Sequence, residues 1–241
     1  MISTTQEKPA WVERVYRVDG IDATGVLFAV ASGTENFRVN RYGGEREFTQ
    51  AIVESVSAGE VLYDIGACIG FVTVHAAKRG ARVIGFEPDA QLRARTKQNL
   101  ELNNLDATLF DVAISDTDGH ATLYTDGGHG TSPTLFSTDG RGTTRVRVRS
   151  IDSLIEAGQL PAPHVIKLDI EGAEVRALRG MQQLLSSEAR PRRLYIEVHP
   201  PFILQFNDDP ADVEKILTHA GYTLIDRHTR YEQLHETWEI A

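Results

Sequence analysis

The spacing of apolar side chains changes character along this chain. In residues 11–39 the runs "WVERVYRV" and "GVLFAVAS" alternate apolar with polar positions, the period of half-buried antiparallel strands. Residues 45–58, "EREFTQAIVESVSA", carry Phe48, Ile52, Val53 and Val56 at helical spacing and stop before Gly59. From residue 61 short, nearly continuous apolar runs alternate with longer amphipathic stretches. In order these are "VLYDI", a helix over about 70–79, "RVIGF", a helix over about 89–103, "TLFDVAI", "VIKLDI" at 165–170, a helix across "AEVRALRGMQQLLSS", "RRLYIEV" at 192–198 and a helix over about 210–220.

Strands that alternate with helices make βαβ units, and strands apolar on both faces belong inside a parallel sheet. The expected fold is therefore α/β, a doubly wound, mostly parallel seven-stranded sheet with helices on both faces. "YTLIDRH" and "HETWEIA" close it as a C-terminal β-hairpin. Residues 1–44 form an N-terminal β-rich extension packed on the core, and 45–241 the main domain. Within that domain, 119–150 reads as an inserted antiparallel pair around "ATLYT" and "TTRVRVRS", joined by the long loop "DGGHGTSPTLFSTDGRG".

The first strand of the core breaks into "DIGACIG", an aspartate followed by two glycines four apart. In a doubly wound sheet the first strand-to-helix turn lies at the ligand crevice, where glycines admit positive φ and close backbone approach. The pattern Asp64-x-Gly66-x-x-x-Gly70 differs from the G-x-G-x-x-G of dinucleotide sites. A carboxylate at that strand end repels a pyrophosphate and attracts a cationic amino-acid tail, which favours S-adenosylmethionine. Glu87, ending the next strand in "GFEPD", stands where an acid accepts hydrogen bonds from both ribose hydroxyls. The competing reading of the turn is purely structural. Cys68 reads as a small neutral filler, with a thiolate nucleophile as the alternative.

Charge and composition narrow the partners. The 241 residues carry a net charge of -9, so the overall field opposes a polyanion and no nucleic-acid partner is expected. One cysteine excludes an internal disulfide. There is no basic start with an apolar stretch behind it and no run long enough to span a bilayer, so a cytoplasmic protein without a membrane partner is expected.

The segments "LYDIGACIGFVTVHAAKRGARVIGFEPD", "DVAISDTDGHATLY", "RVRVRSIDSLI" with "VIKLDIEGAEVRALRGM", and "LYIEVHP" follow one another over about 64–200. In order and separation they resemble the FkbM family of S-adenosylmethionine-dependent methyltransferases, a branch of the class I Rossmann-like enzymes. The resemblance implies that Asp64, Gly66, Ala67 and Gly70 line the methionine end of the cofactor and that Glu87 holds the ribose. It also puts Asp111 near the adenine amine, Val112 beside the ring, Asp169 next to the cofactor and Glu47 toward its amino group. Asp111 as a turn cap, and Glu45 as a rival to Glu47, stay open. The family carries Asn where this chain has Cys68. Thr131 and Ser132 correspond to positions near the acceptor.

An alcohol acceptor needs its proton removed or its alkoxide stabilised. "KLDIEG" supplies Asp169 and Glu171, "YIEVH" supplies Glu197 and His199, and strand alternation would put each pair on one face at neighbouring strand ends. These four residues are the catalytic candidates, with His199 as a general base of near-neutral pKa. The same four, oxygen-rich, are also the candidate ligands of a divalent cation; an ordinary acidic network neutralised by Lys167 is the third reading. Arg145, Arg147 and Arg149 share a strand face that is either solvated or an anion-binding wall, and His129 is a second base if its loop is a lid. His75, His120 and His164 suit surface or packing roles.

The expected function is thus O-methylation of a hydroxyl on a small molecule or sugar. Kept beside it are an N-methyltransferase on the same scaffold, a non-catalytic cofactor-binding module, and a dinucleotide-dependent oxidoreductase.

Overall fold

The computed structural model describes residues 14–18, 21, 25–40, 45–125, 132–137 and 140–240. Strands β1 (Arg14–Val18) and β2 (Val26–Val30) pair antiparallel, as their alternation predicts. The β-rich extension also holds a helix that the alternation does not predict, α1 (Gly33–Asn40), which follows the two strands. Its start is written in "SGTE": Ser32 Oγ accepts from Glu35 N at 3.0 Å, and Glu35 reaches back to Ala31 N at 2.5 Å. That is a capping box displaced by one residue.

The core begins after α2 (Arg46–Ser55) with β3 (Val61–Ile65), α3 (Phe71–Lys78), β4 (Arg82–Phe86), α4 (Ala90–Leu102) and β5 (Thr108–Phe110). An expected single strand over "TLFDVAI" is instead two, since the chain leaves the sheet at Asp111 and β6 (Val112–Ile114) joins another. β7 (Gly119–Thr125) and β8 (Gly142–Arg149) form the expected antiparallel pair, and β6 adds to β8 in parallel, which makes the insertion a three-stranded sheet.

After α5 (Ile151–Glu156), β9 (Val165–Leu168) re-enters the main sheet. The helix expected beyond it is broken into α6 (Glu174–Arg179) and α7 (Gln182–Leu185). Gly180 is the reason: a Cβ there would stand 1.9 Å from the Ser115 carbonyl oxygen, and the Gly180 carbonyl accepts from Asp152 N at 3.0 Å. Then come β10 (Arg193–Val198), α8 (Pro200–Ile203), α9 (Ala211–His219), β11 (Tyr222–Arg230) and β12 (Gln233–Ile240).

The seven-stranded sheet has the order β11-β12-β10-β9-β3-β4-β5. β10, β9, β3, β4 and β5 are parallel, and the closing hairpin contributes the antiparallel β12. Residues of β3 alternate between the two faces: Tyr63 and Ile65 pack with Ile166, Leu178 and Ile196, whereas Leu62 packs with Ile52, Val72 and Tyr195. Chain order runs outward from β3 to β5 on one side and restarts at β9 on the other. Their carboxyl ends therefore part between β3 and β9, the switch point at which doubly wound sheets hold ligands.

Buried polar contacts fasten β2 and α1 to this core. Asn99 of α4 accepts from Ala29 N and donates to the Ile69 carbonyl, each at 2.8 Å, and Asn103 makes a matching pair with Leu27 at 2.8 Å. Arg95 and Glu35 meet at 2.7 Å with both side chains buried. Among the described residues no helix is long and apolar enough to cross a membrane.

Candidate active site

The turn after β3 is shaped by two glycines with little freedom to be anything else. Gly66 has φ +85°, and a Cβ on it would lie 1.9 Å from the Asp169 carbonyl oxygen; Gly70 has φ +81° and a Cβ there would meet Thr96 at 2.6 Å. Gly66 N and Ala67 N both donate to the Phe86 carbonyl, at 3.0 and 3.1 Å, which ties the turn to the end of β4. Cys68 holds a left-handed φ of +51°, a conformation that asparagine adopts more readily than cysteine. Burial pushes its thiol up to about 11, in keeping with the neutral-filler reading.

Asp64 lies beneath this turn, fully buried. Its Oδ2 accepts from Thr73 Oγ1 at 2.6 Å and its Oδ1 stands 3.2 Å from Lys167 Nζ, which donates to the Gly66 carbonyl at 2.7 Å. Burial pulls the Lys167 ammonium down, but Asp64 and Asp169 outweigh that and hold it above its ordinary value. Asp64 is thus paired inside the protein with Lys167, and its side chain borders the second of the two hollows described below.

Glu87 directly follows β4 and borders the apolar cleft beside it. It is buried, with one oxygen accepting from Cys68 N and the other from Asp89 N, both at 2.9 Å. Asp89 in turn caps α4. Burial raises the Glu87 carboxyl to about 7, against the pull of those two amides. Val112 is buried and lines the same cleft with Phe86, Pro88, Leu92 and Ile114. Asp111 does not: its carboxylate is about half exposed and pairs with Arg147 outside the cleft wall.

Two adjoining hollows, of about 640 and 600 Å³, share Arg38, Gly66, Cys68 and Asp169. The first is walled by the apolar side chains beside Glu87. The second runs past Asp64, Lys167, Glu197 and Glu45. Glu45 is half-buried, paired with Arg230, and its carboxyl is raised by burial and by Glu197. Glu47 is exposed on the first turn of α2 and lines neither hollow, whereas its rival Glu45 lines the second.

Of the four catalytic candidates Asp169 lines both hollows, Glu171 the first and Glu197 the second, while His199 is buried and lines neither. Asp169 and Glu171 follow β9 rather than ending it, and Glu171 has φ +52°, so a tight turn and not strand alternation brings them together. His199 Nε2 lies 3.6 Å from Glu171, 3.7 Å from Glu197 and 4.0 Å from Asp169, while Nδ1 is 2.9 Å from Glu174. Burial opposes a charge on His199, but the bond to Glu174 and the carboxylates around it raise its pKa to about 10. An imidazolium at neutral pH takes no proton, which corrects the reading of His199 as a general base of near-neutral pKa. Burial raises the Glu171 carboxyl; on Asp169 burial acts the same way, yet Lys167, His199 and Arg38 prevail and lower it.

Three residues of this site escaped the reading of the sequence. Arg38 borders both hollows and donates to Ser132 Oγ at 2.7 Å, but it lies beyond the two alternating runs, in a helix that their pattern does not announce. Glu174 is buried behind His199, and the signal for it was only the spacing Glu171-x-x-Glu174 at a helix start. His235 of β12, also buried, stacks on Phe48 at 4.4 Å and lies 3.5 Å from Glu197. Ser132 borders the first hollow; Thr131 and His129 lie outside the described residues. Arg145 and Arg147 are exposed and Arg149 pairs with Asp118 at 2.9 Å, so the arginine stripe lines neither hollow. His164 accepts from Val61 N, His75 packs against Phe28 and Phe71, and His120 is exposed.

An open sheet in this order, with a glycine turn and a buried acid at adjoining strand ends, defines the class I S-adenosylmethionine-dependent methyltransferases. Within that class the chain belongs to the FkbM methyltransferase family: the family's model, the methyltransferase FkbM domain, matches residues 64–224. The hexuronic acid methyltransferase AglP of Haloferax volcanii is 29% identical over 195 residues, covering 80% of this chain and 76% of its own. The fold is also that of magnesium protoporphyrin IX methyltransferase ChlM from Synechocystis PCC 6803, with a TM-score of 0.51 at 15% identity over 88% of this chain and 86% of that one. An rRNA methylase from Streptococcus thermophilus gives 0.52 at 10% identity, over 83% and 98%.

Proposed function

We propose that this enzyme methylates an oxygen of a sugar or another small hydroxylated molecule. The observation that carries the reading is the cluster of Asp169, Glu171 and Glu197 on the walls of the two hollows, grouped around the buried His199. A poor nucleophile such as an alcohol needs such a cluster to give up its proton; a neutral amine does not. AglP, by its name, acts on a hexuronic acid, and a sugar acid presents hydroxyls of this kind.

When bound, S-adenosylmethionine supplies a methyl group on a sulfonium whose departure leaves a neutral thioether. The residues fit it: Gly66 keeps the turn low, where any Cβ would collide with Asp169, and Glu87 is a buried acid with room beside it. Glu87 would accept from the ribose hydroxyls, Gly66, Ala67 and Gly70 would shape the bed of the methionine end, and Val112 with Phe86 would hold the ring. Lys167 keeps the Gly66 carbonyl in place, and Asp64 keeps Lys167 charged. The chain's part is then alignment and exclusion of water, plus disposal of the acceptor proton at the acidic cluster.

The test is incubation with S-adenosylmethionine and a panel of sugar acids, neutral sugars and amines, followed by mass spectrometry for a gain of one methyl group. Methylation of a hydroxylated acceptor that is lost in Asp169→Asn, with binding of S-adenosylhomocysteine retained, is expected. Methyl transfer confined to amines, or to no acceptor in the panel, counts against it.

A further inference from the structure

The two ring nitrogens of His199 have opposite surroundings. Nδ1 is held at 2.9 Å by Glu174, itself buried and anchored by Gly172 N at 2.9 Å. Nε2 is buried with no hydrogen-bond partner among the described residues, although carboxylate oxygens of Glu171, Glu197 and Asp169 stand 3.6, 3.7 and 4.0 Å from it. Those separations are too long for hydrogen bonds. Ligand atoms about 2.1 Å from one octahedral ion lie about 3 Å from their neighbours and about 4 Å from the one opposite, so a modest inward shift of these side chains would let them share an ion.

The ligand atoms of Asp169, Glu171 and His199 all fall within 4.8 Å of one another. An imidazole whose second nitrogen is fixed by a carboxylate is the usual form of a metal-bound histidine, and a cation among the carboxylates that hold the Nε2 proton would displace that proton on binding. Charge points the same way: Asp64, Asp169, Glu171, Glu174 and Glu197 outnumber Lys167, Arg38 and even a protonated His199. The side chains of Asp169 and Glu171 are 28% and 19% exposed, so the group opens on the cleft.

We propose that Asp169, Glu171 and His199 bind a hard divalent cation of the magnesium and manganese class. Two carboxylates to one imidazole favour such an ion over the softer transition metals. Its role rests on the hydroxyl-acceptor reading given above: Asp169, Glu171 and His199 would hold the ion, which would polarise the acceptor hydroxyl so that its proton passes to the acidic cluster at Glu197, while the oxygen lone pair forms the new O–C bond as the C–S bond of S-adenosylmethionine breaks. Glu197, held from behind by His235, borders the site.

The experiment is a titration of the EDTA-stripped full chain with Mn²⁺, followed by the electron paramagnetic resonance of the free ion, with S-adenosylhomocysteine binding measured on the same samples. One tight Mn²⁺ per chain is expected, weakened by about tenfold or more in Glu171→Gln and in His199→Asn. Glu171 sits at the cleft surface, so its variant keeps the test sound where the His199 change disturbs folding; circular dichroism checks both. No Mn²⁺ uptake by a chain that binds S-adenosylhomocysteine overturns the cation site and leaves the methyltransferase reading standing. Uptake equally strong in both variants overturns it too.

Discussion

Lys167 Nζ lies 3.2 Å from Asp64 Oδ1 and 2.7 Å from the Gly66 carbonyl, so one buried ammonium joins the acid of the first strand to the turn it introduces. Removing a single partner of a buried pair strands the other charge. Lys167→Met is expected to cost about 3–5 kcal/mol in urea unfolding. The double variant Asp64→Asn with Lys167→Met should recover part of that loss, and an additive double variant would show that the two are not coupled.

Glu87 gives the donor site its pH dependence. Its carboxyl is raised from 4.5 to about 7 by burial, so its contribution to stability is complete below about 4.5 and lost as pH rises through about 7. Acceptance of two ribose hydroxyls needs the ionised form. Calorimetry should therefore show S-adenosylhomocysteine binding weaken as pH falls below about 7, and Glu87→Gln should bind weakly with a flat profile. A wild-type affinity unchanged between pH 5.5 and 8 would remove Glu87 from this role.

Gly66 and Gly59 share nearly the same backbone angle, φ +85° and +83°, but only Gly66 is crowded. Gly59→Ala should cost about 1–2 kcal/mol, the price of a left-handed alanine. Gly66→Ala adds a Cβ at 1.9 Å from the Asp169 carbonyl oxygen, so it should cost more and abolish S-adenosylhomocysteine binding. Equal melting temperatures for the two variants would contradict the packing of the turn against Asp169.

Asp111 separates the resemblance from the geometry. Its half-exposed carboxylate pairs with Arg147 away from the cleft wall. Asp111→Ala should change stability by less than about 1 kcal/mol, as exposed pairs do. Affinity for S-adenosylhomocysteine should stay within about twofold of wild type. A tenfold loss of affinity would place Asp111 at the adenine after all.

A helix advances about 100° per residue, so Glu45 and Glu47, two positions apart at the start of α2, point to nearly opposite sides. Glu45→Gln should therefore alter S-adenosylhomocysteine binding or turnover, whereas Glu47→Gln should leave both unchanged. Equal effects from the two would contradict the cleft as described.

Local pattern was enough for much of this molecule. Runs apolar on both faces announce parallel strands, the helical spacing of Phe48 and Ile52 announces α2, and Asp64, Gly66 and Glu87 mark the crevice from their positions at or next to strand ends. Those signals are legible because period and turn chemistry depend on near neighbours in sequence. Tertiary structure decided the rest. Gly180 interrupts a helix because Ser115, 65 positions away in sequence, leaves no room for a side chain; Asp64 is silenced by Lys167 from another strand; His199 is turned by Glu174 from a separate helix start. Burial and opposing charge at such contacts set whether an acid is a handle or a clamp and whether an imidazole holds its proton, and both depend on segments far apart in the chain meeting in space.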